Sequence, residues 1–195
     1  MNVHLAKKEE AWQIAKIHHQ EIKDGFLSQL GEKFLFQLYK SIASSPYSFI
    51  IVAEKNNQII GFVSGSINVN KLYKNFLKKY FLKTFFILLP KIFKPSIIKK
   101  IIETLHYPYQ KKTLPRPELL TIAVKKQFWG QGIASLMFKT FISEMEKRQV
   151  EQFKVIVGEN LSSAINFYKK AGFVFHSLFS VHKNKSSKIY IYKLK

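Results

Sequence analysis

Glu118-Leu-Leu-Thr-Ile-Ala-Val-Lys-Lys-Gln-Phe-Trp-Gly-Gln-Gly-Ile-Ala-Ser-Leu-Met137 is the stretch whose reading decides the fold. Leu119 to Val124 is a short apolar, partly β-branched run that suits a buried strand. Ile133, Leu136, Met137, Phe141 and Met145 then recur at helical spacing. Between strand and helix, Gly130-Gln131-Gly132 removes two β-carbons where the first free N–H groups of the helix point outward. A phosphate can therefore approach the main chain closely there. Taken alone, such a turn equally well serves only to start a helix tightly.

The segment downstream separates these readings. After a second apolar run, Gln152 to Val157, the chain continues Gly158-Glu-Asn-Leu-Ser-Ser-Ala-Ile-Asn-Phe-Tyr-Lys-Lys-Ala-Gly-Phe173. Ser162 or Ser163 is expected to cap a short helix, Gly172 to end it in the left-handed conformation, and Phe173 to start the next strand. The two segments together resemble the GNAT family of N-acetyltransferases. In that family a pyrophosphate loop follows a hydrophobic strand, and a second motif ends in Phe-Tyr-x-x-x-Gly-Phe. The matching residues are Val124, Phe128, Gly130, Gln131, Gly132, Ile133 and Ala134, then Ala164, Phe167, Tyr168, Gly172 and Phe173. Trp129 stands where the family usually has Gln or Arg, and Asn160 lies one residue further from Tyr168 than the family's asparagine.

The resemblance implies an α/β (α+β) fold: a mixed, mostly antiparallel central sheet flanked by helices and splayed at its central strand to admit acetyl-CoA. It implies that Ile122, Ala123 and Val124 offer main-chain groups to the pantetheine arm. Backbone N–H groups from Gly130 to Ala134 (Gln131, Gly132 and Ile133 between) would hold the pyrophosphate, with Trp129 and Asn160 beside them. Lys125 and Lys126 would add charge. Tyr168 matches the family's tyrosine near the sulfur and would protonate the thiolate, or else is a plain core tyrosine. An alkylammonium has a pKa near ~10.4, so a proton must leave the acceptor before attack. Glu118 is the first candidate base, its other reading being a solvent-facing strand end; Glu54 and Glu21 are weaker ones. A sugar amine of lower pKa would need little help. Glu21, Asp24, Phe26 and Leu27 would sit on the acceptor wall, or be ordinary loop residues.

Composition agrees with an enzyme of one domain over residues 1–195. The chain is 47% hydrophobic, which excludes a disordered tail. With no cysteine it has no disulfide, no thiolate-bound zinc and no cysteine nucleophile, so the acetyl group would pass directly to the acceptor. His18 and His19 are adjacent on a predicted helix and point about 100° apart, so no shared metal is expected and solvated side chains are. Met1 to Ala6 followed by Lys7, Lys8, Glu9 and Glu10 is no secretory signal, and a cytoplasmic location is the default. The formal net charge of +20, almost all lysine, attracts nucleic acid, anionic lipid or phosphorylated substrates; the lysines are spread along the chain, as a lysine-rich composition alone would spread them.

Ahead of the central strand, Val3 to Ala6 reads as a strand, Ala11 to Ile17 as a helix ending near His18 and His19, and Phe34, Leu35, Leu38 and Tyr39 as the inner face of a second helix. Phe49 to Glu54 and Ile59 to Ser66 form a hairpin around Lys55-Asn-Asn-Gln58. Roughly fifty residues then separate the third strand from the fourth, more than a connection needs. Residues 68–117 read as a basic amphipathic helical insertion: Leu72, Phe76 and Tyr80 on one helix opposite Lys71, Lys74, Lys78 and Lys79, and Ile97, Ile98, Ile101, Ile102 and Leu105 on another behind a Ser96 cap. Phe85 to Leu89, between Lys83 and Pro90, is too short to span a bilayer. The insertion would pack as an extra helical layer, lie on a membrane surface or lid the acceptor site. His106 to Tyr109 and Thr113 to Pro117 read as a stiff connector, and Phe173 to Val181 and Ile189 to Leu194 as two last strands around an exposed Lys183 to Ser187 turn.

The function expected is acetyl-CoA-dependent N-acetylation of a small primary amine, with an amino sugar as one acceptor. The alternatives are acetylation of protein, aminoacyl-tRNA or a lipid-linked amine through the basic surface, and a non-catalytic acyl-CoA-binding module.

Overall fold

The structure is a computed structural model that describes residues 1–107, 113–182 and 185–194. Among these residues, seven strands form one sheet in the order β1-β2-β3-β4-β5-β7-β6. They are β1 (Asn2–Leu5), β2 (Ser48–Lys55), β3 (Gln58–Ser66), β4 (Glu118–Val124), β5 (Gln152–Gly158), β6 (Val174–His182) and β7 (Lys185–Lys193). Every neighbouring pair is antiparallel except β4 with β5. The parallel pair is short: Glu118 faces Lys154 and Leu119 faces Val155, and no pairing continues beyond them. From Leu120 onward the strands diverge, and the sheet opens as a V towards the carboxyl ends of β4 and β5.

A bulge helps to open it. Thr121 pairs with Ser64 and Leu119 with Gly65, which leaves Leu120 as an extra residue on β4 where the splay begins. Gly65 permits a close approach at the same point: a β-carbon there would collide with the Phe141 ring. The hairpin turn at Asn56 and Asn57 takes φ of 51° and 60°, the left-handed geometry that a two-residue connection between twisted strands requires.

Among the described residues, seven α-helices flank the sheet. α6 (Ile133–Lys147) and α7 (Ser162–Lys170) lie on one face, where Met137, Phe138, Phe141 and Met145 meet Phe49, Val63, Phe153 and Phe173. α1 (Ala11–Glu21), α2 (Phe26–Gln29), α3 (Glu32–Ser44) and α4 (Val69–Ile92) lie on the other, where Ile14, Leu35, Tyr39, Leu72 and Phe76 meet Val52, Ile59, Phe62 and Ala123. α5 (Pro95–His106) follows α4 and touches β6.

Several local expectations are corrected. Leu72 to Tyr80 and Phe85 to Leu89 belong to one 24-residue helix, α4, which runs through Pro90 to Ile92. A proline two residues from the end removes a single helix bond, too little to stop the preceding turns. α5 opens with Pro95 at its first turn behind Lys94, so Ser96 is inside the helix, and α7 is preceded by Leu161 in the cap position, so Ser162 and Ser163 do not cap it. Proline is pre-organised for a first turn and needs no side-chain cap. β7 begins at Lys185, because hairpin pairing of Leu178 with Lys188 and Phe179 with Ser187 is made by main chain and is indifferent to polar side chains. Lys183 and Asn184 of the expected turn, and Pro108 and Tyr109 of the expected connector, lie outside the described residues. His18 is buried and His19 half-buried, so neither is a solvated surface histidine.

Candidate active site

β4 ends at Val124, a 3-10 turn over Lys126–Phe128 follows, and the chain then enters α6 through Gly130 and Gly132. Both glycines are left-handed, at φ 75° and 74°, and a β-carbon on either would meet nothing within 4 Å. Glycine is therefore required here by backbone conformation, and the space in front of the loop is open. The first N–H groups of α6, from Ile133 onward, have no partner inside the helix and face that space with the positive end of its dipole. Trp129 fixes the loop from the other side: its indole N–H donates to the Val124 carbonyl at 2.7 Å. This is a structural use for the residue that departs from the familiar motif.

Along β4, the groups that point away from β3 meet no strand once β5 has diverged. The Lys125 N–H bond to the Ile60 carbonyl sets the alternation of the ladder, which turns the main-chain groups of Ala123 onto β3 and those of Ile122 and Val124 outward, beside the Gly130–Ala134 loop. The donors fit an extended amide-bearing arm ending in phosphates, because a splayed strand supplies amide hydrogen bonds and a helix start supplies anion contacts. Asn160 lies at the end of β5, its Oδ1 folded towards Gly158, where a β-carbon would stand 3.0 Å from it.

Tyr168 is buried on α7 against Phe167 and Phe173, with ring centroids 5.6 Å and 5.2 Å apart. Burial pushes its phenol well above the ordinary tyrosine range. It is therefore a protonated donor at any working pH. α7 ends at Gly172 with φ 97°, as its sequence predicts.

Glu118 is not solvent-facing. It is 5% exposed and closes the narrow end of the V. Its Oε1 accepts from the Tyr107 hydroxyl at 3.0 Å, and its Oε2 faces Lys154 Nζ at 3.1 Å. The second contact is an ion pair without hydrogen-bond alignment, since Oε2 has no hydrogen-bond partner and Lys154 directs a proton to the Pro115 carbonyl at 2.6 Å. Tyr107, which ends α5, and Tyr73 of α4 both have phenols pushed up, first by burial and then by the Glu118 charge. One carboxylate thus ties the end of α5 to β4 and, through Lys154, to β5.

The residues expected on an acceptor wall lie on the α1–α2 side. Glu21 accepts from the Lys126 backbone N–H at 3.2 Å, joining the end of α1 to the start of the glycine loop. Phe26 and Leu27 are half-buried against the core of that face, and Asp24 is exposed. α5 closes over them: Ile97 and Ile101 pack on the same core, and Lys100 Nζ stands 5.8 Å from the Phe26 ring centroid. Behind them, His18 Nδ1 and the Tyr39 hydroxyl are 2.5 Å apart, and Tyr39 also bonds the Thr121 side chain on β4. Burial, with a smaller push from His19, lowers the His18 pKa to about 4, so the imidazole is neutral.

Tyr107, Lys154 and the Leu120 bulge escape sequence reading. The first two are ordinary residues made important by a partner thirty or more positions away or across a helix end, and a bulge is a relation between two strands. Among the described residues no three His, Asp or Glu side chains gather as a metal site. No helix among them is long and apolar enough to cross a membrane.

No curated protein matches the sequence significantly. Solved structures match the fold across its whole length. N-acetyltransferase from Staphylococcus aureus Mu50 is 18% identical, with 98% of this chain and 100% of that one covered and a TM-score of 0.63. Ribosomal-protein-alanine N-acetyltransferase from Brucella melitensis is 13% identical with 100% of both covered and a TM-score of 0.64, and Ard1 from Thermoplasma volcanium is 14% identical with 100% and 97% covered and a TM-score of 0.63. A family model for the acetyltransferase (GNAT) family matches residues 15–173, which takes in the splay, the glycine loop and the Tyr168 helix. The chain belongs to the GNAT family of acetyltransferases, enzymes that transfer an acetyl group from acetyl-CoA.

Proposed function

We propose that this enzyme N-acetylates a small primary amine. The observation that carries the reading is α5, which runs from Phe26 on the α1–α2 wall to β6 on the far side of the splay. A roof in that position bounds the acceptor space and favours a compact amine over a protein tail. Lys100 beside Phe26 gives the roof a cation, which suits an acceptor that also bears an acidic or phosphorylated group.

Acetyl-CoA supplies the activated acyl group, and the main chain of Ile122, Val124 and Gly130–Ala134 would hold it. Preorganised N–H groups would hold the carbonyl for attack without reorganisation. The amine nitrogen would bond to the acyl carbon, the carbon–sulfur bond would break, and Tyr168 would give the leaving thiolate its proton. The acceptor's own proton must also leave. Protonation of Glu118 would remove the charge that pairs with Lys154, so Glu118 is read as a latch, with the amine entering neutral and Glu21 and Asp24 as further carboxylates on the α1–α2 side. Thiol release measured against a panel of amines, amino sugars and short peptides tests the proposal. Turnover with small amines alone supports it, and turnover confined to peptides would replace the roofed-site reading with a protein acceptor.

A further inference from the structure

The solvent face of α4 changes character halfway along. An ordinary surface helix buries an apolar stripe and turns polar residues outward. The first half of α4 obeys: Leu72, Phe76 and Tyr80 are buried, and Lys71, Lys74 and Lys78 are exposed on the opposite side. In the second half Thr84 and Leu88 continue the buried stripe, yet the outward side carries Phe81, Leu82, Phe85, Phe86 and Leu89. Phe86 is 67% exposed and Phe93, just past the helix, 80%. The rings are contiguous: Phe81 and Phe85 lie 6.2 Å apart and Phe85 and Phe86 5.9 Å apart. Ile98 and Ile102 on α5 are also exposed.

Lysines surround this ridge. Between Val69 and Tyr107 the chain has Lys71, Lys74, Lys78, Lys79, Lys83, Lys91, Lys94, Lys99 and Lys100 against a single acidic residue, Glu103. Phe and Leu at the centre with Lys at the edge is the composition of a helix lying in a lipid–water interface, where rings enter the acyl boundary and ammonium groups meet anionic head groups. Protein interfaces share the aromatic enrichment but are depleted in Lys, which here rings the ridge. A second copy of this chain would bring like charges together on a molecule of net charge +20. We infer that the carboxyl-terminal half of α4 docks this enzyme on an anionic bilayer surface. This docking is independent of which amine is acetylated.

Flotation of the full-length chain with phosphatidylcholine vesicles, with and without phosphatidylglycerol, tests it. The protein is expected to float with the anionic vesicles, to be released by salt, and to stay behind with neutral ones. Both Phe85→Ser/Phe86→Ser and Lys74→Gln/Lys78→Gln/Lys79→Gln are expected to weaken flotation roughly tenfold or more. These side chains are exposed, so circular dichroism and thiol release with a soluble amine are expected to be unchanged. Failure of the wild-type chain to float, or equal flotation of the phenylalanine variant, would overturn the inference. So would a concentration-dependent dimer that the phenylalanine variant abolishes while neither protein floats.

Discussion

The two faces of β4 are built on different principles. Towards α6 and α7, the site consists of main-chain groups: an unpaired strand edge, a left-handed glycine loop and a helix start. Towards α1, α4 and α5 it consists of side chains: Glu118 with Tyr107 and Lys154, Glu21 on the Lys126 N–H, and Lys100 over Phe26. A main-chain site is fixed by conformation and tolerates sequence drift, as Trp129 shows. A side-chain wall is fixed residue by residue and can be rebuilt for a new acceptor without touching the cofactor side.

Breaking the side-chain half at its latch is expected to have the largest energetic effect. Lys154→Met leaves the buried Glu118 carboxylate unpaired and should cost about 3–5 kcal/mol of stability, read by denaturant unfolding. Combining it with Glu118→Leu should recover much of that loss. A single variant as stable as wild type would dissolve the latch.

Breaking the main-chain half should leave folding nearly intact and remove binding. Gly132→Glu imposes a left-handed conformation costing about 1–2 kcal/mol and places a carboxylate before the phosphates. Calorimetry should show acetyl-CoA binding at least roughly a hundredfold weaker, about 3 kcal/mol. Comparable binding by this variant would move the phosphate contacts elsewhere.

Tyr168→Phe sharpens the comparison, because it changes one chemical group on the main-chain side. The expected result is kcat lower by about tenfold to a hundredfold with acetyl-CoA binding preserved. An unchanged kcat would leave Tyr168 as a core residue.

These contrasts track what was legible in the sequence. The strands and the glycine loop could be read because short apolar runs, Gly130 and Gly132 and the Tyr168-to-Phe173 segment act over short spans, whereas the splay was implied only by the family resemblance. Leu72 to Tyr80 and Phe85 to Leu89 read as separate segments, whereas both lie on α4. Glu118 could be picked out as important from its place on the central strand, but not what it touches: Tyr107 and Lys154 come from α5 and β5. His18 was misread as solvated because the apolar face of α1 is wider than Ile14 and Ile17 alone indicate.

The smallest effect concerns that histidine. Its pKa of about 4 in the folded state lies below the ordinary 6.5, so the unfolded chain binds more protons between those values. Its contribution is present above pH 6.5 and is lost as pH falls towards 4. Between pH 6.5 and 5.5 this amounts to about 1 kcal/mol, and His18→Gln should lose that part of the pH dependence. An unchanged slope would assign it to other groups.

Amide hydrogen exchange with and without acetyl-CoA tests the central claim most directly, since it reads the main chain itself. Protection on binding is expected at the unpaired stretch Leu120–Val124 and at Gly130–Ser135, with little change along α4. Protection absent from both, or confined to α4 and α5, would contradict a cofactor site made of the splayed strand and the glycine loop.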